Sequence, residues 1–452
     1  MRKERKYFEE MDDLDQEEPY CLTVLLTKKR KEESVMMNGR KLFILLVSAY
    51  FVLVLVKPTL SQTAVKPLKI GLLYELTGIF STMGGDAQKT IEVAVDMLNK
   101  SGGIKGHPVE YVTSDSQSNA TQATLAAKKL IEAEKIHILL GSNATGTALA
   151  VGPVCETNRV PLITASVADV FEKTLKPIWS FRASWKGWEM IDLGLGMVKK
   201  LNPQNKNIAV FYMGAPFGKD MYKNAVLFAP KRDLHIVVAE QYDPTKTDFG
   251  PQIIKLMSGN PDAVMVYCSD MAGPLAMKQM REMGMDKPII SNGALNVKAV
   301  REAFKDVFSK PPYVYSSGST PDVWWQLPKE SYEYKMIAPI ATAFEKKYGE
   351  RYGGIHQVAY NGLLLVKDSL ERGLTEDPNL LNRDLNTIRT ALRDKLETTK
   401  NFNTGAGIFT MTPKDHCGVH IGSPFAPFHW EKGEIVYDAK LRDIIPSSPP
   451  PD

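Results

Sequence analysis

Cysteine is scarce in this sequence, with four residues among 452. Cys155, Cys268 and Cys417 belong neither to a CxxC pair nor to a cysteine and histidine spacing typical of a metal site. The sequence therefore predicts no metal site. One disulfide and three buried free thiols are both compatible with these residues.

Charge of one sign is also lacking. The chain has 56 basic and 52 acidic residues, giving a formal net charge of +4 that is spread along its length. A nucleic-acid-binding protein normally concentrates positive charge on one surface or segment. We therefore predict no nucleic-acid partner.

Motifs of covalent catalysis are absent from the sequence. It contains no GxSxG nucleophile elbow, no HExxH pair, no P-loop and no GxGxxG after its first predicted strand. His107, His137 and His235 lie beside or within strand-like segments, where a structural role is typical. The sequence therefore predicts a protein that is not an enzyme, with no catalytic residues and no cofactor.

Long hydrophobic runs are limited to one, Leu42–Val56. This run follows two basic residues and is shorter than the roughly 20 residues that span a membrane. The pattern predicts a signal peptide over residues 36–61, with a membrane anchor as the alternative. Residues 1–35 would then be an atypical charged extension, or would precede an internal start at Met36 or Met37.

Regular alternation of strand-like and helical segments occupies the rest of the chain. Leu68–Tyr74 is almost entirely apolar and predicts a buried strand, and Ala87–Asn99 has apolar residues at helical spacing. The alternation continues to Thr164 and restarts at Ile208, which indicates parallel sheets covered by helices on both faces. The predicted fold class is α/β, with two doubly wound parallel-sheet lobes.

Two irregular stretches are candidate crossovers between these lobes, Trp179–Trp185 and Pro311–Pro328. The helical segments after the second stretch are expected to return to the first lobe, and the strand-like tail is expected to complete the second. We therefore expect lobe 1 to comprise residues 66–183 and 315–405. Lobe 2 is expected to comprise residues 184–314 and 406–445.

Five short motifs have the order and spacing of a known family. They are Leu76-Thr77-Gly78 followed by Gly84, Asn99–Gly106, the Asp115 loop, Gly141-Ser142 before Thr145, and Val160–Ile163. With these motifs the chain from Leu68 to about Lys440 resembles the periplasmic branched-chain amino acid (Leu/Ile/Val) binding proteins and their relatives for amides and aromatic acids. The resemblance implies the type I periplasmic-binding-protein fold, with three crossover segments and a ligand trapped as the lobes close. It also implies an ABC transporter permease as partner, a monomer, and a periplasmic location.

The loop Ser142–Gly146 is the strongest candidate for ligand binding. It leads from a predicted strand into a helix, so its backbone N–H groups and the helix dipole suit a carboxylate. The resemblance places the ligand carboxylate at Thr145, while helix capping is the alternative role of this residue. Asn143 and Gly146 are its expected neighbours in the site.

Further candidates come from loops in both lobes. Ser166 and Ala168 follow the fourth predicted strand, and Ser166 can offer its backbone and its hydroxyl to the same carboxylate. Phe217 stands where the resembled family usually has tyrosine, which keeps an aromatic wall and removes a hydroxyl. Ser269 and Asp270 match a segment of the family that faces the cleft.

One departure concerns the acid that pairs with a ligand ammonium in amino-acid-binding members. This sequence has Gly293 at that position. An ammonium buried without an anion would cost several kcal/mol. Either Asp270 or Glu75 replaces the missing partner, or the ligand has no amine.

Aromatic residues are expected around the cleft. Phe80, Trp185, Phe217, Tyr315 and Trp324 fall in predicted loops or crossovers, although interlobe packing is an alternative role for them. A branched-chain or other hydrophobic amino acid and an aromatic acid are both compatible ligands. The expected function is solute binding for an ABC importer, and the alternative is the ligand-binding ectodomain of a sensor or receptor of the same fold.

Overall fold

The computed structural model describes residues 65–292, 295–419 and 425–447. The predicted extension over residues 1–35, the signal peptide over 36–61 and the departure at Gly293 lie outside these ranges. Within them, no helix has the length and apolar character needed to cross a bilayer. The same ranges hold no cluster of three or more histidine, cysteine or acidic side chains suited to a metal ion.

A sheet of five parallel strands forms the first half of the molecule: β1 (Leu68–Tyr74), β2 (Val109–Asp115), β3 (Ile138–Gly141), β4 (Leu162–Thr164) and β5 (Ser180–Arg182). Their order is β2-β1-β3-β4-β5. Strand β1 is buried at every residue except the second. A parallel sheet covered on both faces requires such a continuous apolar run, which is why this strand could be predicted from the sequence.

A larger sheet forms the second half: β6 (Asn207–Met213), β7 (His235–Tyr242), β8 (Ala263–Tyr267), β9 (Ile289–Asn292), β10 (Val314–Ser317), β13 (Phe428–Glu431) and β14 (Glu434–Tyr437). The order is β14-β13-β10-β9-β8-β6-β7. Strands β6 to β10 are parallel, and the hairpin of β13 and β14 adds two antiparallel strands at one edge. The short strands β11 (Phe402–Asn403) and β12 (Ile408–Phe409) pair with each other.

Helices of the described ranges connect these strands. They are α1 (Ser81–Lys100), α2 (Ala120–Glu132), α3 (Thr145–Asn158), α4 (Val170–Leu175), α5 (Gly187–Leu201), α6 (Pro216–Phe228), α7 (Gly250–Ser258), α8 (Ala272–Glu282), α9 (Lys298–Phe308), α10 (Tyr332–Tyr348), α11 (Gly354–Glu376) and α12 (Leu385–Glu397). Short 3-10 turns occupy Pro230–Arg232, Thr320–Gln326, Leu380–Asn382 and Ala439–Leu441. The predicted α/β class with two parallel-sheet lobes is confirmed.

Helix α1 begins at Ser81, earlier than the predicted start at Ala87. Gly84 lies inside its first turns, directly against the backbone of Glu75 at the end of β1. A glycine pair normally indicates a turn, but here the missing side chain lets the helix approach the strand. The helices α4, α5, α9 and α12 were not predicted.

The chain passes between the two sheets after β5, after β10 and after β12. Helix α5 contacts β9 and β10, whereas α10 and α11 contact α1 on the smaller sheet. The sequence assigned residues from 315 onward to lobe 1, but the structure has Val314–Ser317 as a strand of the larger sheet. This strand contains polar serines beside a proline-rich stretch, so its pairing with β9 has no local sequence signal.

Cys155, Cys268 and Cys417 are free and buried. Burial raises the pKa of the Cys268 thiol to about 12, and it raises the pKa of the Cys417 thiol to about 12 as well. These groups are therefore protonated packing residues at neutral pH. Of the two alternatives left open by the sequence, the structure supports the free thiols.

Candidate functional site

A cavity lies where the carboxyl ends of strands from both sheets meet. This is the place where open parallel sheets bind ligands, because loops and helix N-termini converge there. The smaller sheet contributes residues after β3 and β4, and the larger sheet contributes residues after β6 and β8 and the last residue of β9. The polar residues that line the cavity are Asn143, Thr145, Ser269, Asn292 and Asp322.

Most of the remaining wall is apolar. The side chains of Met83, Val167, Trp185, Met190, Phe217 and Ile355 line it. Trp185 and Phe217 are 8% and 6% exposed, so both aromatic rings are nearly removed from water. Such a wall, with a few polar groups to orient the ligand, is typical of small-molecule sites.

Glu75 binds part of the loop before α3, where the sequence predicts the carboxylate of the ligand. Its carboxylate accepts hydrogen bonds from the backbone N–H groups of Asn143 and Ala144, both at 3.2 Å, and from the Thr147 hydroxyl at 2.5 Å. The Ser142 hydroxyl also bonds it. Two of the amides expected to be free for a ligand are therefore already used by a buried acid.

What remains for a ligand at this position is the start of helix α3. Thr145 and Gly146 are its first two residues, and the amides of such residues have no acceptor within the helix. Thr145 lines the cavity, and its hydroxyl lies 3.1 Å from the Ser166 hydroxyl. An acceptor such as a carboxylate fits this group of donors.

Three predicted site residues line neither this cavity nor the smaller one beside it. Ser166 is fully buried behind Thr145, so it positions the threonine hydroxyl. Ala168 is also fully buried, and its carbonyl accepts a hydrogen bond from Arg182 at 3.1 Å. Gly146 faces the other half of the molecule, where a methyl group on it would lie 3.8 Å from Cγ of Pro216.

Asp322 is a cavity residue that sequence reasoning missed. One carboxylate oxygen accepts from the Gly354 amide at 2.8 Å, and the other accepts from the amide and the hydroxyl of Ser319, both at 3.0 Å. Burial raises the pKa of Asp322, and these donors oppose that shift. The spacing of Ser319 and Asp322 is that of a capping box, which was the available signal for a short helix here.

A smaller compartment adjoins the cavity. The two share Met83, Ser269 and Ile355, and the smaller one is also lined by Phe80 and Asp270. The Asp270 carboxylate accepts from the Tyr242 hydroxyl at 2.9 Å. The structure thus brings Phe80, Ser269 and Asp270 together beside the main cavity.

Two of the aromatic residues expected at the rim pack elsewhere. Tyr315 lies against His429, with ring centroids 5.5 Å apart. The Trp324 indole donates to Glu345 at 3.2 Å. Tyr315 therefore packs within the larger sheet and not between the lobes, and Trp324 forms its hydrogen bond away from the wall that was expected.

A family model described as a periplasmic binding protein matches residues 67–433. The chain belongs to the periplasmic binding protein family. One relative of this binding protein is the Leu/Ile/Val-binding protein homolog 7 of Brucella abortus (strain 2308), which is 24% identical over 318 residues. The match covers 68% of this chain and 77% of the relative. The resemblance inferred from the sequence motifs is confirmed.

Solved structures agree with the fold of this binding protein. An extracellular ligand-binding receptor from Rhodopseudomonas palustris HaA2 superposes with a TM-score of 0.74 at 21% identity, covering 82% of this chain and 99% of the other. An ABC transporter solute-binding protein from R. palustris in complex with benzoate gives a TM-score of 0.68 at 18% identity, covering 82% and 95%. The type I fold is confirmed, and this family member is a solute-binding protein, not an enzyme.

Proposed function

We propose that this binding protein serves an ABC importer outside the cytoplasm, capturing a small carboxylate-bearing ligand between two lobes and presenting it to a membrane permease. One observation carries the proposal, namely that both sheets build the cavity wall. Thr145 follows β3 of the smaller sheet, whereas Phe217 and Ser269 follow β6 and β8 of the larger sheet. A ligand that contacts both halves favours the closed arrangement by the free energy of the added contacts.

The carboxylate of the ligand lies at the start of α3 in this proposal. The Thr145 hydroxyl and the first helix amides donate to it, and the positive end of the helix dipole adds a favourable interaction. The apolar body of the ligand packs against Trp185, Met190 and Phe217. Hydrophobic amino acids and aromatic acids share this chemistry, and the relatives named for Leu/Ile/Val and bound to benzoate support that ligand class.

Thr145→Ala is expected to weaken ligand binding by about tenfold to a hundredfold, because a hydrogen bond to a charged group is lost. Ser166→Ala should have a smaller effect, since this serine contacts the Thr145 hydroxyl and does not line the cavity. A thermal-shift screen of aliphatic amino acids, amides and aromatic acids identifies a ligand, and titration calorimetry then measures the affinities. Thr121→Ala, at an exposed position on α2, is the matched control. Unchanged affinity in Thr145→Ala would refute the site.

Ligand addition is expected to make the molecule more compact, because contacts from both halves draw the lobes together. Small-angle scattering of the purified protein, with and without the ligand found by the screen, measures the radius of gyration. At a ligand concentration that saturates the wild type, Thr145→Ala should show less compaction. An identical radius of gyration in the presence of saturating ligand would refute the closure mechanism.

A further inference from the structure

The ligand cavity has a side compartment of limited size. The main cavity offers about 80 Å³, and the compartment that shares Met83, Ser269 and Ile355 with it offers about 20 Å³. A water molecule needs roughly 10–15 Å³ of such space. The side compartment therefore accommodates one group of the size of an amine or a hydroxyl, and not a ring or a branched chain.

Buried polar atoms without a partner occur in both spaces. Asp270, in the side compartment, uses Oδ1 to accept from the Tyr242 hydroxyl at 2.9 Å and from the Gly273 amide at 3.1 Å. Its Oδ2 is buried and has no hydrogen-bond partner among the described residues. In the main cavity the buried Trp185 Nε1 donor also has no partner within the described part of the chain. Buried polar groups are normally satisfied, so each of these atoms indicates a missing partner.

The other two acids near the cavity, Asp322 and Glu75, do not offer it an unpartnered carboxylate oxygen. Both oxygens of Asp322 accept from the protein, as the bonds from Ser319 and Gly354 account for them. Glu75 is held by the loop before α3 and does not line the cavity. Asp270 is thus the acid that lines the side compartment and has a carboxylate oxygen without a hydrogen-bond partner in the described residues.

On the basis of the proposed function, we propose that Asp270 determines specificity for a carboxylate ligand whose far end carries one hydrogen-bond donor, preferably an amine. The donor enters the side compartment and bonds Oδ2 of Asp270. An acceptor on the ligand, in the main cavity, receives the Trp185 N–H. The apolar body between the two ends lies along Met83 and Ile355, which line both spaces.

A positively charged donor fits better than a neutral one. Burial raises the pKa of Asp270, since its surroundings penalise the charged carboxylate. No salt bridge involves this acid within the described residues, and an ammonium group supplies the missing opposite charge. A charged partner makes the hydrogen bond about twice as strong as a neutral one.

The experiment compares pairs of probes that differ only in the distal donor. Pentanoate is paired with 5-aminopentanoate, and benzoate is paired with 4-(aminomethyl)benzoate. Calorimetry on the purified full chain is expected to show tighter binding of the amine in at least one pair, by about tenfold to a hundredfold. Asp270→Asn keeps the size of the side chain and removes its charge, so it should abolish most of that difference.

Asp286→Asn is the matched control, since Asp286 is an acid of the same lobe with a side chain that is 79% exposed. It should leave the preference for the amine unchanged. Asp270→Ser is a second variant, and the melting temperature of each variant reports that it is folded. Loss of the preference in both Asp270 variants supports the proposal.

Two further outcomes separate this proposal from the proposed function. If wild type binds both members of each pair equally, or if the preference survives in Asp270→Asn, the role of Asp270 is overturned while the importer function stands. If no carboxylate binds, with leucine, isoleucine and valine included in the panel, the proposed function fails and the role of Asp270 fails with it.

Discussion

Arg182→Met is expected to lower the free energy of unfolding of the ligand-free binding protein by about 3 kcal/mol. The Arg182 side chain is completely buried at the end of β5. Its guanidinium donates to both oxygens of Glu172 at 3.0 and 3.2 Å, and to the carbonyls of Val167 and Ala168 at 2.9 and 3.1 Å. Methionine preserves most of the volume of the side chain but leaves these acceptors without a donor. Removing one partner of a buried ion pair is strongly destabilising, because the other charge stays buried without compensation.

The same arginine also holds the loop that follows β4. Val167 lines the cavity at the strand ends, and its carbonyl is one of the Arg182 acceptors. Urea denaturation followed by circular dichroism measures the stability change. Arg383→Ala is the control, because Arg383 pairs with Asp377 at the surface with a side chain that is 53% exposed, and such pairs contribute under about 1 kcal/mol. Equal losses in the two variants would contradict the role assigned to Arg182.

Gly84→Ala and Gly85→Ala are expected to have opposite effects, although the residues are adjacent in α1. A Cβ on Gly84 would lie 2.1 Å from the carbonyl oxygen and 2.7 Å from the nitrogen of Glu75. A backbone cannot yield as a flexible side chain does, so the loss of stability should reach about 3 kcal/mol, the upper end for overpacked sites. A Cβ on Gly85 meets nothing within 4 Å, and alanine there should stabilise the helix by about 0.5–1 kcal/mol.

Denaturation midpoints of the two variants, measured side by side, test this difference. Gly218→Ala extends the test to the other lobe, because a Cβ on this residue of α6 would lie 2.2 Å from the Met213 carbonyl oxygen at the end of β6. In both sheets the helix that follows the first strand in chain order thus packs on the end of that strand through a glycine. A stable Gly84→Ala variant, equal to Gly85→Ala, would show that the helix can move away from the strand.

The elements that could be predicted share a local signal. Strand β1 is an apolar run, and its bounds match the predicted Leu68–Tyr74. The start of α3 at Thr145 also follows from local order, with a short loop after a buried strand. Asn143 and Thr145 were predicted from this loop, whereas Phe217 and Ser269 were assigned from the family resemblance, and all four line the cavity.

The features that could not be predicted from the sequence depend on contacts between residues that are distant along the chain. Asp322 reaches the cavity because its carboxylate accepts from Gly354 at the start of α11, 32 residues away. The pairing of β10 with β9 likewise depends on the neighbouring strand, since Val314–Ser317 has no continuous apolar pattern. Neither feature produces a periodic pattern of apolar residues in the neighbouring sequence.

By itself the sequence determined the order of most strands and helices, the family, and which loops follow the buried strands, because these properties depend on apolar periodicity and on motifs of neighbouring residues. The tertiary structure alone decided how the polar groups are paired. Glu75 takes the amides of Asn143 and Ala144 across 68 and 69 residues of chain, whereas Oδ2 of Asp270 is left without a partner in the described ranges. A hydrogen bond forms only between groups that folding brings within about 3 Å of each other. The spacing of two residues along the chain does not determine this distance.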